Sequence, residues 1–249
     1  MTKRLLAFLL LALPACAAAL DRSELAELND MYRGGKYEEA LEGYNKAIAA
    51  DPSDPWAWYN AGNALFRLNR NGQAVYHYAR AFTLDPRSPD IRANLDFALK
   101  QTGQALVPDG VPAALHYLYY LLSLDELKAL AALLFWAACL AGAARFLMDG
   151  ARPGVLAGRA ALAAAALLLL SLAWLGARRT SPFTSAGVVT RAGGTRMLSG
   201  PGENFKTYAS APEGRLVKIL DADDDDYYEI GLAKEGIKGW ALKTEIDRL

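Results

Sequence analysis

Apolar and polar residues follow three different rhythms along this 249-residue chain, and each rhythm predicts a different kind of structure. Over residues 21–103 small and aromatic side chains recur on a helical spacing. Ala40, Tyr44 and Ala47 stand at i, i+4 and i+7 on one helical face, and Asp51-Pro52 then ends the helix. The same residues return as Ala74, Tyr78, Ala81, Asp85 and Pro86, each 34 positions later. This period predicts two helix-turn-helix units, 21–54 and 55–88, and a single helix over 89–103 that covers the last open face, as stacked repeats require. The inter-helix turn of the first unit is Gly35-Lys36-Tyr37-Glu38-Glu39-Ala40. Trp58, Gly62 and Leu65 lie on the first helix of the second, and Asn71-Gly72 replaces the aromatic expected at its turn.

The second rhythm has no polar face at all. Ser123-Leu124-Asp125-Glu126 reads as a capping box. Apolar sequence then fills 124–148, with Lys128 and Arg145 near its ends, and a second run, 160–177, lies between Arg159 and Arg178 within a helix expected over 158–177. Each run is long enough to cross a hydrocarbon core of ~30 Å, so a two-helix transmembrane hairpin is expected, joined by a loop at 149–157. The segment 107–123 reads as an interfacial linker, with Pro108 and Pro112 and an aromatic belt of His116, Tyr117, Tyr119 and Tyr120. From Gly187 the pattern becomes short β-runs between turn signals: 188–190, 197–198, 214–220, 227–230 and 238–242. Strands this short over 183–249 predict a small all-β barrel whose closure protects its edges. The fold class is therefore multidomain: an all-α solenoid, a transmembrane hairpin and a small β-barrel.

Residues 1–19 carry Lys3 and Arg4, a short apolar stretch and small residues around Ala15-Cys16-Ala17, the pattern of a signal peptide. Two other readings stay open, an uncleaved anchor and lipidation of Cys16 in Leu13-Pro14-Ala15-Cys16. Export of the N-terminus and two spans would put both soluble parts in one compartment. Arg145, Arg152 and Arg159 favour a cytoplasmic loop between the spans, whereas Arg178 and Arg179 pull the other way.

Charge changes the picture little. The stretch 21–108 holds 10 basic and 12 acidic residues and 183–249 holds 9 and 11, with signs interspersed, which excludes the clustered cations of a nucleic-acid surface. The two cysteines, Cys16 and Cys139, both lie in apolar runs. His77 and His116 stand alone, and no nucleophile, phosphate-loop or metal-ligand spacing is present, so no catalytic residue, cofactor site or metal site is expected. The acidic run Asp223–Asp226 invites a calcium ion, but it lacks the spaced ligands and glycine of a calcium loop and reads better as a solvated hairpin tip.

The 34-residue pattern resembles the tetratricopeptide repeat. In that family first-helix residues line a concave groove. Here those positions include Leu25, Asn29, Tyr32, Arg33, Tyr59, Asn63, Phe66, Arg67 and Phe97. Two readings of the aromatics stand side by side, a peptide-binding groove and partial core packing. Asn29 and Asn60 fit the family's carboxylate clamp, but Leu25 and Asp90 stand where it needs cations, which disfavours a clamp. The turn Ser199-Gly200-Pro201, Glu213-Gly214 before a β-run and the terminal Gly239-Trp240 resemble bacterial SH3-like domains. That likeness offers Tyr228 and Trp240 as a peptide or glycan platform, with Trp240 equally suited to a core. The order of segments, with Arg92-Ala93-Asn94-Leu95 and the run 199–205, is similar to BatE-type proteins of the aerotolerance-associated Bat group. The resemblance implies a two-pass inner-membrane scaffold facing the periplasm. It also implies partners among membrane-anchored von Willebrand A-domain Bat proteins and a MoxR-type ATPase. The alternative is a peptidoglycan-binding protein acting through the SH3-like domain.

Overall fold

A computed structural model describes residues 22–148, 152–232 and 234–249; the expected signal segment 1–19, with Cys16, lies outside them. Five helices open the described chain: α1 (Arg22–Arg33), α2 (Tyr37–Ala50), α3 (Pro55–Arg67), α4 (Asn71–Leu84) and α5 (Pro89–Gln101). Their ends follow from local chemistry that repeats with the sequence. Asp54 caps α3 by accepting from the Trp56 amide at 2.9 Å, with Pro55 at the first helical position. Ser88 caps α5 in the same way, followed by Pro89. Asp51 and Asp85 each accept the amide two residues on, at 2.9 and 3.2 Å, which closes the turn after α2 and α4. The turns inside each unit need one left-handed residue, Gly35 (φ 81°) in the first and Asn69 (φ 60°) in the second. These positions are 34 apart, and asparagine is the side chain that best tolerates what glycine does freely. Ala40, Tyr44 and Ala47 of α2 and Ala74, Tyr78 and Ala81 of α4 are all buried, so the small residues bring the helices close while each tyrosine fills the space between.

The C-terminal part is a seven-stranded antiparallel sheet of strands β1 (Ala186–Val189), β2 (Thr195–Leu198), β3 (Thr207–Ala211), β4 (Leu216–Asp221), β5 (Tyr227–Leu232), β6 (Ile237–Leu242) and β7 (Ile246–Arg248). Their order is β3-β2-β6-β5-β4-β1-β7. The sheet is open, with β3 and β7 at its edges, so the expected barrel closure does not occur. Its edges are blunted by brevity and polarity instead. β7 has three residues, and β3 exposes Thr207 and Ser210 and buries only Ala211.

Every residue of β1 is buried, because successive side chains enter different cores. Val189 joins Met197, Val217, Ile230 and Ile246 inside the sheet, whereas Val188 joins Val75, Phe82 and Leu99 of the helices. Hydrogen bonds stitch the same seam. Glu213 accepts from the Gly72 amide at 2.7 Å and from the Gly193 amide at 3.2 Å. The Gln104 side chain donates to the Gly214 carbonyl and accepts from the Leu216 amide, both at 3.0 Å.

Between the two soluble parts lie α6 (Ala113–Tyr119), α7 (Leu124–Leu147), α8 (Arg152–Arg179) and the short α9 (Pro182–Ser185). The capping box forms: Ser123 Oγ accepts from the Glu126 amide at 3.2 Å, and Glu126 accepts from the Ser123 amide at 2.8 Å. α7 and α8 pack on each other and are long and apolar enough to cross a membrane. Leu133, Trp136, Leu140, Leu162, Leu169 and Leu170 project from them uncovered. α8 takes up 152–157, part of the expected loop, with Pro153 in its first turn, where a missing amide costs nothing; residues 149–151 lie outside the described set.

The linker departs from the expected aromatic belt. Tyr117 is exposed, but His116 and Tyr120 are buried. Arg178 explains why. Its guanidinium, 2 % exposed, donates to the carbonyls of Tyr119 (3.1 Å) and Leu122 (2.7 Å) and lies 4.4 Å from the centre of the Tyr120 ring. Tyr120 in turn packs on Phe82 of α4 and Phe183 of α9, each pair with ring centres 5.1–5.9 Å apart.

Gly72 supplies a test of the seam. An added Cβ would lie 2.5 Å from the Val189 carbonyl oxygen and 3.0 Å from Thr190 Cα, both backbone atoms. Gly→Ala in an exposed helix should gain up to about 1 kcal/mol. Here overpacking of about 1–3 kcal/mol outweighs it. In Gly72→Ala, hydrogen exchange measured by mass spectrometry should quicken over 187–190 and 213–216 while α2 and α3 keep their protection.

Candidate functional site

α1 and α3 both border one recess, each through residues three or four apart on one helical face. Asn29, Tyr32 and Arg33 of α1, Asn60 and Asn63 of α3, and Tyr44 from α2 line a recess of about 290 Å³. Its floor is built by a hydrogen bond that repeats with the sequence. Tyr44 donates its hydroxyl to Asn29 Oδ1 at 2.8 Å, and 34 residues on Tyr78 donates to Asn63 Oδ1 at 2.8 Å. Asn94 of α5 extends the pattern, donating to Asn63 Oδ1 at 2.8 Å and to the Tyr59 hydroxyl at 3.1 Å. Asn60, one turn before this network, has no hydrogen-bond partner among the described residues. The groove face thus offers side-chain amides and phenols held in fixed orientations.

Charge at the recess comes from one side only. Arg33 is exposed and pairs with Asp30 at 2.8 Å beside the opening. Arg67 lies 4.9 Å over the Tyr37 ring, which meets Tyr32 edge-on at 5.3 Å. Burial pushes the Tyr32 phenol up, and the nearby Arg67 charge offsets this in part. Burial pushes Tyr44 up to about 12 and raises Tyr78 as well. These phenols therefore remain neutral hydrogen-bonding groups at physiological pH. Farther along the face, Phe66 and Phe97 meet edge-to-face at 5.6 Å, and Phe97 is 53 % exposed. The expected groove residues thus fall into two neighbouring parts. Asn29, Tyr32, Arg33 and Asn63 surround the recess, with Arg67 behind Tyr37, while Phe66 and Phe97 form an aromatic shelf and Tyr59 joins the two through Asn94. Sequence reasoning missed Tyr44, Tyr78 and Asn94 as floor residues; the signal for the tyrosines was that each follows an expected groove asparagine, Asn29 or Asn63, by fifteen positions.

In the sheet the two expected platform residues part company. β5 pairs with β6 so that Tyr228 lies opposite Ala241 and Glu229 opposite Trp240. Directly paired residues share a face and neighbours alternate, so Tyr228 and Trp240 face opposite ways. Tyr228 packs on the sheet core, with Lys243 5.0 Å above its ring. The same lysine serves the acidic tip. Its ammonium donates to the carbonyls of Ala222 and Asp224, which places a built-in cation inside the turn. Among the described residues no group of three or more metal-binding side chains comes together.

Two outcomes follow from the recess. Asn63→Ala removes the acceptor of two donors and should cost about 1–3 kcal/mol, read from denaturant unfolding of the detergent-solubilised chain. A raised phenol pKa means that the fold favours neutral Tyr44. This contribution is therefore complete below the ordinary tyrosine pKa of about 10 and lost as pH climbs through about 12. Spectroscopic titration should show a late tyrosinate phase whose amplitude falls by one tyrosine in Tyr44→Phe, Tyr78 remaining.

Comparison with known proteins agrees with this geometry. Residues 29–69 match the family model "TPR repeat" and residues 55–88 the model "Tetratricopeptide repeat". A similar protein is the inactive TPR repeat-containing thioredoxin TTL3 of Arabidopsis thaliana, 41 % identical over 58 residues. That match covers 23 % of this chain and 8 % of the plant protein, so the chain spans a small fraction of that relative. Between residues 29 and 88, this chain is built of tetratricopeptide repeats.

Proposed function

We propose that this protein is a membrane-anchored scaffold whose repeats hold a segment of a partner protein. The observation that carries this reading is the division of labour between faces. The sheet packs on α4 and the end of α5, while the recess and the aromatic shelf on α1, α3 and α5 remain uncovered. A groove of oriented amides suits the peptide groups of an extended chain, and Phe66 with Phe97 suits an apolar side chain. The recess is lined by amides, phenols and one guanidinium, a set suited to binding.

The exposed apolar hairpin supports a two-pass membrane protein. The seam between helices and sheet supports placing both soluble parts on the same side of it. Arg178 is buried and hydrogen-bonded to backbone carbonyls, which fixes its charge at the end of α8. Counted by residue, Arg145, Arg152 and Arg159 on the loop side outnumber Arg178 and Arg179 at the far end, which supports a cytoplasmic loop and soluble parts on the periplasmic face of the inner membrane. The open antiparallel sheet, with a 3₁₀ turn over Lys243–Glu245 before its last strand, is read as an SH3-like domain lacking full closure. The segment order supports a place in a Bat-type envelope assembly with von Willebrand A-domain partners. A peptidoglycan role is less well supported, because Tyr228 and Trp240 do not share a face.

Affinity capture with the full chain in detergent should recover a von Willebrand A-domain membrane protein. The exposed substitutions Arg33→Glu and Phe97→Ala together should reduce recovery at least about tenfold, the equivalent of roughly 1.4 kcal/mol. Equal recovery by the variant would count against the groove.

A further inference from the structure

A second, larger recess lies away from the repeats' groove, where the hairpin leaves the soluble body. It measures about 640 Å³, within the range of roughly 300–1,000 Å³ that small-molecule sites occupy. Leu106, Val111, Leu115, Tyr119, Phe183 and Leu216 make up much of its wall, and Ala177 and Thr180 at the end of α8 stand at one side. We infer that this recess takes the acyl chain of a membrane phospholipid.

Its chemistry disfavours a polar ligand. The Gln104 amide is spent on Gly214 and Leu216, the Thr180 hydroxyl donates to the Ala177 carbonyl at 3.0 Å, and Arg215 is paired with Glu235. His116 has its Nδ1 3.4 Å from the Arg92 guanidinium. A polar molecule entering here would leave its own donors and acceptors unanswered. An aliphatic chain loses nothing and removes apolar wall from water.

Its position selects the bilayer as the source. Ala177 is the last residue of the second apolar run, and α6 beside the recess exposes Leu115, Tyr117 and Leu118 to the surroundings. Exposed apolar side chains of α6 and the end of the hairpin thus both border the recess. On the rim, Lys234 and Asp109 pair at 3.7 Å, both well exposed, and offer one charge of each sign to a zwitterionic headgroup. The inference rests on the membrane placement proposed above.

The test reconstitutes the full chain in nanodiscs of phosphatidylethanolamine doped with the same lipid carrying a diazirine at its chain end. Irradiation and peptide mapping should find label on residues 105–120 and around Leu216 as well as on α7 and α8. Ala105→Trp and Val111→Trp both enlarge exposed side chains at the recess. Each should lower recess labelling about tenfold, about 1.4 kcal/mol of affinity, with hairpin labelling unchanged. Labelled hairpin with an unlabelled recess overturns the acyl-chain site alone. Absence of label from both overturns the membrane placement with it. Equal recess labelling by a water-soluble diazirine without a chain marks a solvent-filled cleft and also overturns the inference.

Discussion

A guanidinium taken out of water has to find carbonyl oxygens or ring faces, and Arg178 finds both where the linker, the hairpin and, through Tyr120, the repeats come together. Its two acceptors, Tyr119 and Leu122, bracket the turn from α6 into α7, while the arginine itself stands near the end of α8. The charge therefore ties the entry of the hairpin to its exit. Trp174 adds a bond to the Tyr119 carbonyl at 3.1 Å, and the Tyr119 hydroxyl returns one to the Ala177 carbonyl at 2.9 Å. Through Tyr120 the same clamp reaches Phe82 and Phe183, so the hairpin, the repeats and the approach to the sheet share one aromatic cluster. Removing the guanidinium would take the donor from the Leu122 carbonyl, while Tyr119 keeps Trp174, and an unanswered acceptor there costs more than the bond itself contributes.

Around that point the surfaces divide cleanly. Arg92 lies 5.6 Å over Phe82 and 5.3 Å over Tyr117, on the side that faces the linker, while Asn94 two residues later turns into the groove and Leu95 is buried. One turn of α5 thus serves the clamp, the binding face and the core at once. The groove can remain empty without exposing the core, because its floor is hydrogen-bonded within the protein. The fold tolerates an unoccupied site there, as a docking module requires.

Much of the helical part was legible because its information is local and repeated. The 34-residue offset brings Tyr44 into register with Tyr78, Asn29 with Asn63 and Gly35 with Asn69, and each pair performs the same task in space. What could not be read depends on contacts between distant segments. Nothing near Asn71-Gly72 announces that a glycine there admits the backbone of Val189 and Thr190, and Arg178 looks in sequence like any flanking cation. Tyr228 and Trp240 were offered as one platform because type and strand position say nothing about register. Leu232 pairs with Ile237, and that turn decides which side chains share a face; another register would reverse every one on the strand. Barrel closure was expected from strand length alone, whereas β3 and β7 end as short polar edges.

The double burial of β1 has a further consequence for how the molecule comes into being. Gly72 and Glu213, joined in the finished protein, are 141 residues apart in the chain, and the whole apolar hairpin intervenes. The face of α4 that receives Val188 is made early in synthesis and stays uncovered until β1, the first strand after the hairpin, has emerged and found its place in the sheet. Such a long-range closure is slow, since the entropy of the intervening loop must be overcome before the contact returns anything. During that interval the nascent repeats present an unpaired apolar face, a natural place for a chaperone to hold the chain until its own C-terminus arrives.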